Sequence, residues 1–508
     1  MKRLGGLVLL LALASCRSGG GVEDAPDVPA PQPGVDVQRI EAVLSFDPET
    51  MTLVGRATLT IAHPDTVGRV WFGLSGAMEV STVEVGRQPV AAEREGAALA
   101  VPVSGDTSVV TLAYRGVPDV GVYREETPSG LVVWTDGWPT RAAGWLPAVH
   151  HPSDPVVLDL TLEVPRRWEV VASGTPAGET VENDSRRARF VTSESAPTYT
   201  LAWAVADFAF TDQPGSVPIR HVTLAQDSAS VAFLSRTPAL LDTLAAFLGP
   251  LPYGRFATVE VPLLYAGMEN AAAPFFQTEL YDAPAALEEV VIHEGVHQWW
   301  GNDVTPADWR DLWLAEGPAT YLTAETVRRL DGREAFRQSL VRMALLDRRS
   351  AARRLVPARL ADPEDALTAT PYQKGGAVLH LLRLTLGDEV FFRALRQTLR
   401  TYDDRPLSTA AFQSELEEVS GRDLDAFFRR WIYGTGVPTL HTQWDRATGT
   451  LSWEIESGWG LERVGAELLV RQSGATDQYV PLDDGVASLP GDENPEVFPV
   501  GWLAEVRR

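Results

Sequence analysis

The sequence predicts a multidomain protein of mixed α and β structure: an antiparallel β domain, then a mainly helical domain, then a small β-sandwich. Its 508 residues suffice for three domains of roughly 150 residues each. Apolar residues make up 45% of the chain and charged residues 22%, which is enough to form large buried cores. Along the chain, the apolar residues recur first with the period of a strand, then of a helix, then of a strand again.

The first sixteen residues resemble an export signal. Lys2 and Arg3 precede an apolar run, 4–14, that is shorter than the about 20 residues of a membrane-spanning helix. The run leads into Leu-Ala-Ser-Cys, which resembles the bacterial lipobox and ends at Cys16, the only cysteine of the chain. We therefore expect Cys16 to be acylated and to attach the protein to the cell envelope. An ordinary signal peptide with a chance cysteine at its end is the alternative.

Residues 17–36 are rich in glycine and proline, and we expect a flexible tether there. Arg17 is not the aspartate associated with retention in the inner membrane, so the expected location is the outer membrane, on its periplasmic or its outer side.

The three predicted domains follow the tether. Residues 37–212 alternate apolar and polar side chains, as in 57–61, and predict the β domain. Residues 213–437 predict the helical domain, which also holds one strand at 258–261. Residues 438–508 predict the β-sandwich. The predicted helices lie at about 231–248, 286–301, 308–331, 333–347, 373–386, 388–401, 409–419 and 423–433.

Charge and cysteine content exclude several classes of function. The chain has 44 Lys and Arg against 68 Asp and Glu, so its net charge of −24 repels phosphate backbones and excludes nucleic acid as a partner. A single cysteine excludes an intramolecular disulfide and cysteine-based metal sites. Any metal must then be held by His, Asp or Glu.

The pentad His293-Glu294-Gly295-Val296-His297 is the strongest signal in the sequence. Positions i and i+4 share a face of a helix, so both imidazoles can reach one metal ion. Glu294 lies beside that site, where a general base that acts on water belongs. The alternative, two unrelated histidines on a helix, is a poor explanation because the chain has only eight histidines.

A catalytic zinc usually takes three protein ligands, and Glu316 lies in the next predicted helix. His-Glu-x-x-His, 18 residues and then Glu316 resemble the zinc signature of the gluzincin aminopeptidases, the family of aminopeptidase N and leukotriene hydrolase. The flanking residues 297–302 and 316–321 resemble that family too. Three more motifs agree in order and separation, namely Ala266-Gly267-Met268-Glu269-Asn270, Tyr372-x-Lys374-Gly375 and Trp431-x-x-x-x-Gly436-x-Pro438. In the first of these, Ala266 replaces the first glycine of the family motif Gly-x-Met-Glu-Asn.

The resemblance, which covers about 36–508, implies a thermolysin-like catalytic domain and one zinc ion per chain. It implies that Glu294 and Tyr372 are catalytic, Tyr372 as the donor to the oxyanion. It implies that Glu269 binds the free α-ammonium of a peptide, with Gly267, Met268 and Asn270 lining the substrate. A fixed anion beside an ammonium in a desolvated cleft rejects chains that lack that charge.

The sequence departs from the family in several places. Asp136 stands where the family usually has Gln, and it is a candidate second anchor for the ammonium or a cause of preference for a basic first side chain. Ala315 and Pro318 replace the usual Asn and Phe beside Glu316, and we expect the loss of a hydrogen bond there to weaken zinc binding. Many relatives also carry a large helical C-terminal domain over the cleft. Without it we expect a more open cleft.

The function predicted is a zinc aminopeptidase that acts on peptides with a free N-terminus. Two alternatives stay open at this point: a zinc endopeptidase with an open cleft, and a zinc-bearing lipoprotein that binds peptides without cleaving them.

Overall fold

The computed structural model describes residues 27–346, 353–461, 465–472, 476–490 and 493–507. They divide into two compact units. The first holds the described residues up to Ala245, with Pro250–Trp309 and Tyr402–Pro406. The second holds Ala246–Gly249, Arg310–Thr401 and the described residues from Leu407 onwards. The predicted export signal, with Cys16, lies outside the described residues, so its acylation stays a prediction.

A large sheet built from alternating residues forms the start of the first unit. In Thr52–Ala62 every second residue from Leu53 to Ile61 is buried, because successive side chains of a strand point to opposite faces. Neighbouring strands are antiparallel, as predicted, except for the parallel pair Asp36–Asp47 and Val157–Pro165. In spatial order the eight strands are Thr175–Glu182, Ser185–Val191, Val157–Pro165, Asp36–Asp47, Thr52–Ala62, Thr107–Gly116, Met78–Val85 and Gln88–Pro89.

Two smaller antiparallel sheets complete the β domain. Side chains from all three sheets, among them Leu59, Phe72 and Trp203, form one buried apolar cluster. The four-stranded sheet runs in the order Glu169–Ala172, Trp203–Ala206, Gly130–Thr135 and Val122–Thr127. The three-stranded sheet runs in the order Arg69–Gly73, Ala98–Pro102 and Glu93–Glu95.

A five-stranded mixed sheet follows in the same unit. Its central strand, Phe256–Val261, is buried at all six positions, as expected of a strand with parallel neighbours on both sides. The hairpin of its first two strands spans the predicted domain boundary after Asp212. In spatial order the strands are Phe208–Gln213, Ile219–Leu224, Phe256–Val261, Phe275–Gln277 and Gly267–Met268.

Within the described ranges, eight α-helices lie close to where the helical period predicts them. Their bounds are Thr237–Leu248, Pro284–His297, Trp313–Asp331, Arg333–Leu346, Gly375–Leu386, Asp388–Thr401, Thr409–Ser420 and Asp425–Trp431. Three predicted ends are wrong. The first helix starts at Thr237 and not at about 231, and a separate 3₁₀ helix, Ala225–Leu234, precedes it. The second helix stops at His297 and not at 301, and the third starts at Trp313 and not at 308. Gly301 between them has φ +115°, which no helical residue adopts, and Trp309–Asp311 makes only a single 3₁₀ turn.

The described part of the C-terminal region forms two sheets, in agreement with the predicted sandwich. One runs in the order Val486–Ser488, Thr450–Ile455, Thr439–Asp445 and Glu505–Arg507. The other runs in the order Gln478–Pro481, Glu467–Arg471 and Glu496–Val500.

Among the described residues, no single helix has both the length and the apolar character needed to cross a membrane. The helices Ala225–Leu234 and Thr237–Leu248 have the necessary length and apolar character only when they are taken together, and the chain bends by 49° between them.

Candidate active site

The helix Pro284–His297, called here the histidine helix, is the central element of the first unit. Pro284 occupies its first position, where the missing N–H costs no helical hydrogen bond. From Val290 to His297 every residue is buried, although His293, Glu294 and His297 are polar. Buried ionisable groups in an apolar helix are costly unless they have partners, so their presence points to function.

Gly295 lets this helix pack closely. A Cβ at Gly295 would lie 3.3 Å from Leu244 Cδ1, so the absence of a side chain allows the helix Thr237–Leu248 to approach the back of the histidine helix. The two imidazoles are thereby held on rigid backbone.

The imidazoles of His293 and His297 converge on one point. Their Nε2 atoms lie 3.2 Å apart, and the side chains are 4% and 1% exposed. His297 Nδ1 lies 3.0 Å from the carbonyl oxygen of Trp300. Because a carbonyl only accepts, Nδ1 carries the proton and Nε2 presents its lone pair. This tautomer is the one that a metal-binding histidine needs, and the backbone partner fixes it.

Two carboxylates face the same point. One ligand atom each of Glu269, Glu294 and His297 lies within 4.8 Å of the other two, and both glutamates are buried. Like charges so close together out of water raise each other's energy unless a cation lies between them. The donor set of nitrogen and carboxylate oxygen fits zinc, and the spare carboxylate fits an ammonium group.

Glu269 lies in residues 267–272, called here the Glu269 loop. Its first two residues form a short strand, with Gly267 paired to Phe276 and Met268 to Phe275. Asn270 N then donates to the carbonyl of Met268, and Asn270 is fully buried. The structure thus places all four predicted residues of this motif beside the histidine helix.

In the second unit, Glu316 occupies the first turn of Trp313–Asp331 and is 3% exposed. Pro318 lies inside this helix, where it cannot donate to the carbonyl of Leu314, yet the helix continues to Asp331. Helix formation therefore tolerates the family departure at Pro318.

Tyr372 lies on the π-helical turn Thr370–Lys374, which leads into Gly375–Leu386. Tyr372 is half-buried while Pro371 and Gln373 on either side of it are buried, so its side chain has access to solvent. This turn approaches the Glu316 helix through two glycines, since a Cβ at Gly375 would lie 2.9 Å from Gly317 Cα. Single π turns occur frequently at functional sites.

Asp136 has a partner that the sequence did not predict. Its Oδ2 lies 3.7 Å from Arg141 Nη1, its Oδ1 accepts a hydrogen bond from Trp138 N at 3.0 Å, and both charged side chains are buried. Burial raises the pKa of the Asp136 carboxyl, and the charge of Arg141 opposes that rise. A role as an ammonium anchor must therefore compete with this ion pair.

Three neighbouring residues escaped the sequence analysis as functional candidates. Arg141 has no motif that marks it. Gln298 and Asn302 were part of the flanking similarity only, yet both are fully buried and both donate to the carbonyl oxygen of Glu269. The usable signal was the amide side chain directly after the second histidine, Gln298, and the second amide five residues after that histidine, Asn302.

Comparisons with known proteins agree with this geometry. Residues 236–431 match the model of the Peptidase family M1 domain. The chain is 25% identical to a probable aminopeptidase 2 of Sulfurisphaera tokodaii over 342 residues, 63% of this chain and 44% of the relative. It is 25% identical to a leucyl aminopeptidase of Saccharolobus solfataricus over 63% of this chain and 43% of the relative. The chain thus spans less than half the length of these two relatives.

A solved structure covers more of the chain. The M1 zinc metallopeptidase of Deinococcus radiodurans superposes with a TM-score of 0.71 at 25% identity, over 80% of this chain and 94% of that one. A variant of that enzyme was solved with Tyr-Ser-Ala bound as substrate.

Proposed function

We propose that this protein is a zinc-dependent aminopeptidase that hydrolyses the N-terminal peptide bond of peptides, because residues 236–431 match the model of the Peptidase family M1 domain. The observation that carries the proposal is the buried convergence of His293, His297, Glu294 and Glu269 in the first unit. The two histidines suit a metal ion, Glu294 suits a general base, and Glu269 suits the binding of an ammonium group. The tripeptide seen in the Deinococcus enzyme supports peptides as the substrate class.

Zinc would be held by His293, His297 and Glu316. Glu316 completes the set because of its spacing from the histidines, its burial and its position at the start of a helix. When bound, zinc acts as a Lewis acid that polarises the scissile carbonyl and makes water more acidic.

Glu294 is the proposed general base. Its carboxylate takes a proton from the attacking water and later gives that proton to the leaving amine, so that one group carries out both proton transfers. Gly267 lets the Glu269 loop lie close to this carboxylate because it carries no side chain.

Tyr372 is the proposed donor to the oxyanion. Its phenol O–H would donate a hydrogen bond to the oxygen that gains charge in the transition state, an interaction typically worth about 10²–10³ in rate. A half-buried tyrosine on a turn next to the Glu316 helix suits this role.

Glu269 is the proposed anchor for the substrate's α-ammonium. A carboxylate buried beside a second carboxylate favours a cationic ligand over a neutral one, so a peptide with a blocked N-terminus binds poorly. Met268 and Asn270 would line the same subsite, and Asp136 remains a proposed second anchor.

A direct assay tests the proposal. The chain beginning after Cys16 is supplied with leucyl- and alanyl-anilides and with their N-acetylated forms, with and without 1,10-phenanthroline. We expect cleavage of the free-amine anilides only, loss of activity with the chelator and recovery with zinc. Cleavage of the blocked anilides would instead support an endopeptidase. Bound zinc without turnover of any anilide would support a peptide-binding protein.

The variant Glu294→Gln separates binding from catalysis. It keeps the size of the side chain and removes the base, so we expect one zinc per chain and a kcat lower by about 10³-fold or more. Turnover close to that of the wild type would contradict the role of Glu294.

We also propose that Cys16 carries a lipid anchor that holds the enzyme at the cell envelope, in the outer membrane. The support is the basic start, the short apolar run and the position of the only cysteine. Expression in a bacterial host with an alkyne fatty acid should label the wild type in the membrane fraction, and Cys16→Ser should abolish the label. An unlabelled wild-type protein would contradict this proposal.

A further inference from the structure

Two side-chain amides hold the backbone of the substrate-anchoring residue. Asn302 Nδ2 donates to the carbonyl oxygen of Glu269 at 2.6 Å, and Gln298 Nε2 donates to the same oxygen at 3.4 Å. Both side chains are fully buried, so water does not compete for these bonds. The peptide unit that follows Glu269 is thereby fixed from the side of the histidine helix.

Gln298 also connects the backbone of Glu269 to the backbone of Glu294 and of Ala272. Its Nε2 lies 3.1 Å from the carbonyl oxygen of Glu294, and its Oε1 accepts a hydrogen bond from Ala272 N at 2.8 Å. Ala272 has φ +64°, a conformation that an alanine rarely adopts without stabilisation from its surroundings. One amide therefore links the general base, the anchor and the end of the Glu269 loop.

We propose that Gln298 and Asn302 are positioning residues that fix the separation of Glu269 from Glu294, and that they thereby set the preference for a free N-terminus. The two carboxylates must serve neighbouring atoms of one substrate, the α-ammonium and the scissile carbonyl. A displacement of the Glu269 backbone moves the ammonium subsite while the base stays on its helix. This inference rests on the proposed function.

Loss of the amides should affect substrate binding more than chemistry. The test variants are Gln298→Met, which keeps the length of the side chain, and Asn302→Ser, which shortens it. The control is Gln472→Met, because Gln472 is a buried glutamine that donates to a backbone carbonyl in the C-terminal region. The substrates are leucyl-anilide and 4-methylpentanoyl-anilide, which lacks only the amine.

For each test variant we expect the KM of leucyl-anilide to rise about tenfold, the effect of one lost buried hydrogen bond, with kcat changed by less. As the KM rises, the preference for leucyl-anilide over the amine-free substrate should fall. Zinc content should stay at one per chain. Hydrogen exchange of the peptide that contains 267–273 should speed up. Gln472→Met should change none of these.

A role in folding alone would give a different result. If both test variants lower the melting temperature but leave KM, substrate preference and exchange at 267–273 as in the wild type, the proposal is overturned. It is also overturned if the change in KM follows loss of zinc. If one variant does not fold, the other one decides the question.

The outcome for the wild type separates this inference from the proposed function. Zinc-loaded wild-type protein that cleaves neither anilide would overturn the proposed function. The positioning role would then depend on hydrogen exchange, and unchanged exchange at 267–273 in the variants would overturn it too.

Discussion

The backbone of Gly267 lies directly against the carboxylate of Glu294. A Cβ at Gly267 would lie 2.8 Å from the carboxyl carbon of Glu294 and 2.8 Å from Val290 Cγ1, closer than real Cβ atoms approach other atoms. The Glu269 loop and the histidine helix are therefore in contact, with no room for a methyl group between them.

Gly267→Ala should lower kcat by about 10²-fold, because a displacement of about 1 Å at a catalytic group can cost that much. The zinc ligands do not move, so zinc content should remain one per chain. Steady-state kinetics and metal analysis check both. Gly68→Ala is the control, since nothing lies within 4 Å of its added carbon. Wild-type kcat in a zinc-loaded Gly267→Ala enzyme would contradict this contact.

Glu316→Gln should weaken zinc binding at least about 100-fold, because a neutral amide replaces a charged ligand and even outer partners of a metal cost 10–100-fold when lost. Zinc content after dialysis and chelator competition measure the change. The control is Glu389→Gln, whose side chain is 91% exposed. Retention of zinc at wild-type affinity would remove Glu316 from the proposed ligand set.

Asp136→Asn should destabilise the protein by about 3 kcal/mol, because it removes a buried carboxylate charge that lies 3.7 Å from the buried guanidinium of Arg141. Calorimetry should show a lower melting temperature, and the exposed Asp65→Asn should not. The proposed anchoring role gives a different signature. In that case the KM of lysyl-anilide would rise more than that of leucyl-anilide while the melting temperature stayed the same.

Asp303→Asn should change how stability depends on pH. Burial and the charges of Asp403, Asp404 and Glu194 raise the pKa of Asp303 from 3.8 to about 8. The folded state therefore binds this proton more tightly than the unfolded state, and the stability it contributes is lost as pH rises through about 8. The variant should melt a few degrees higher than the wild type at pH 8, and the difference should vanish near pH 4. A difference that does not change with pH would exclude this titration.

The sequence by itself determined the fold class and the candidate metal-binding motif. Both depend on local order. The apolar period of 52–62 or 450–455 selects strands because it matches the alternation of a pleated chain, and i, i+4 spacing places His293 and His297 on one helical face. The helix end at 297 and the helix start at 313 escaped it because the positive φ of Gly301 and the 3₁₀ turn Trp309–Asp311 lie between the two helices.

Only the tertiary structure decided what each side chain contacts. The pairing of Asp136 with Arg141 and the bonds from Gln298 and Asn302 to Glu269 join residues that neither period nor spacing relates. Such contacts form because burial removes water from polar groups and obliges each one to find a partner in the folded chain. Which partner it finds depends on the paths of the loops between strands and helices, and local sequence patterns do not predict those paths.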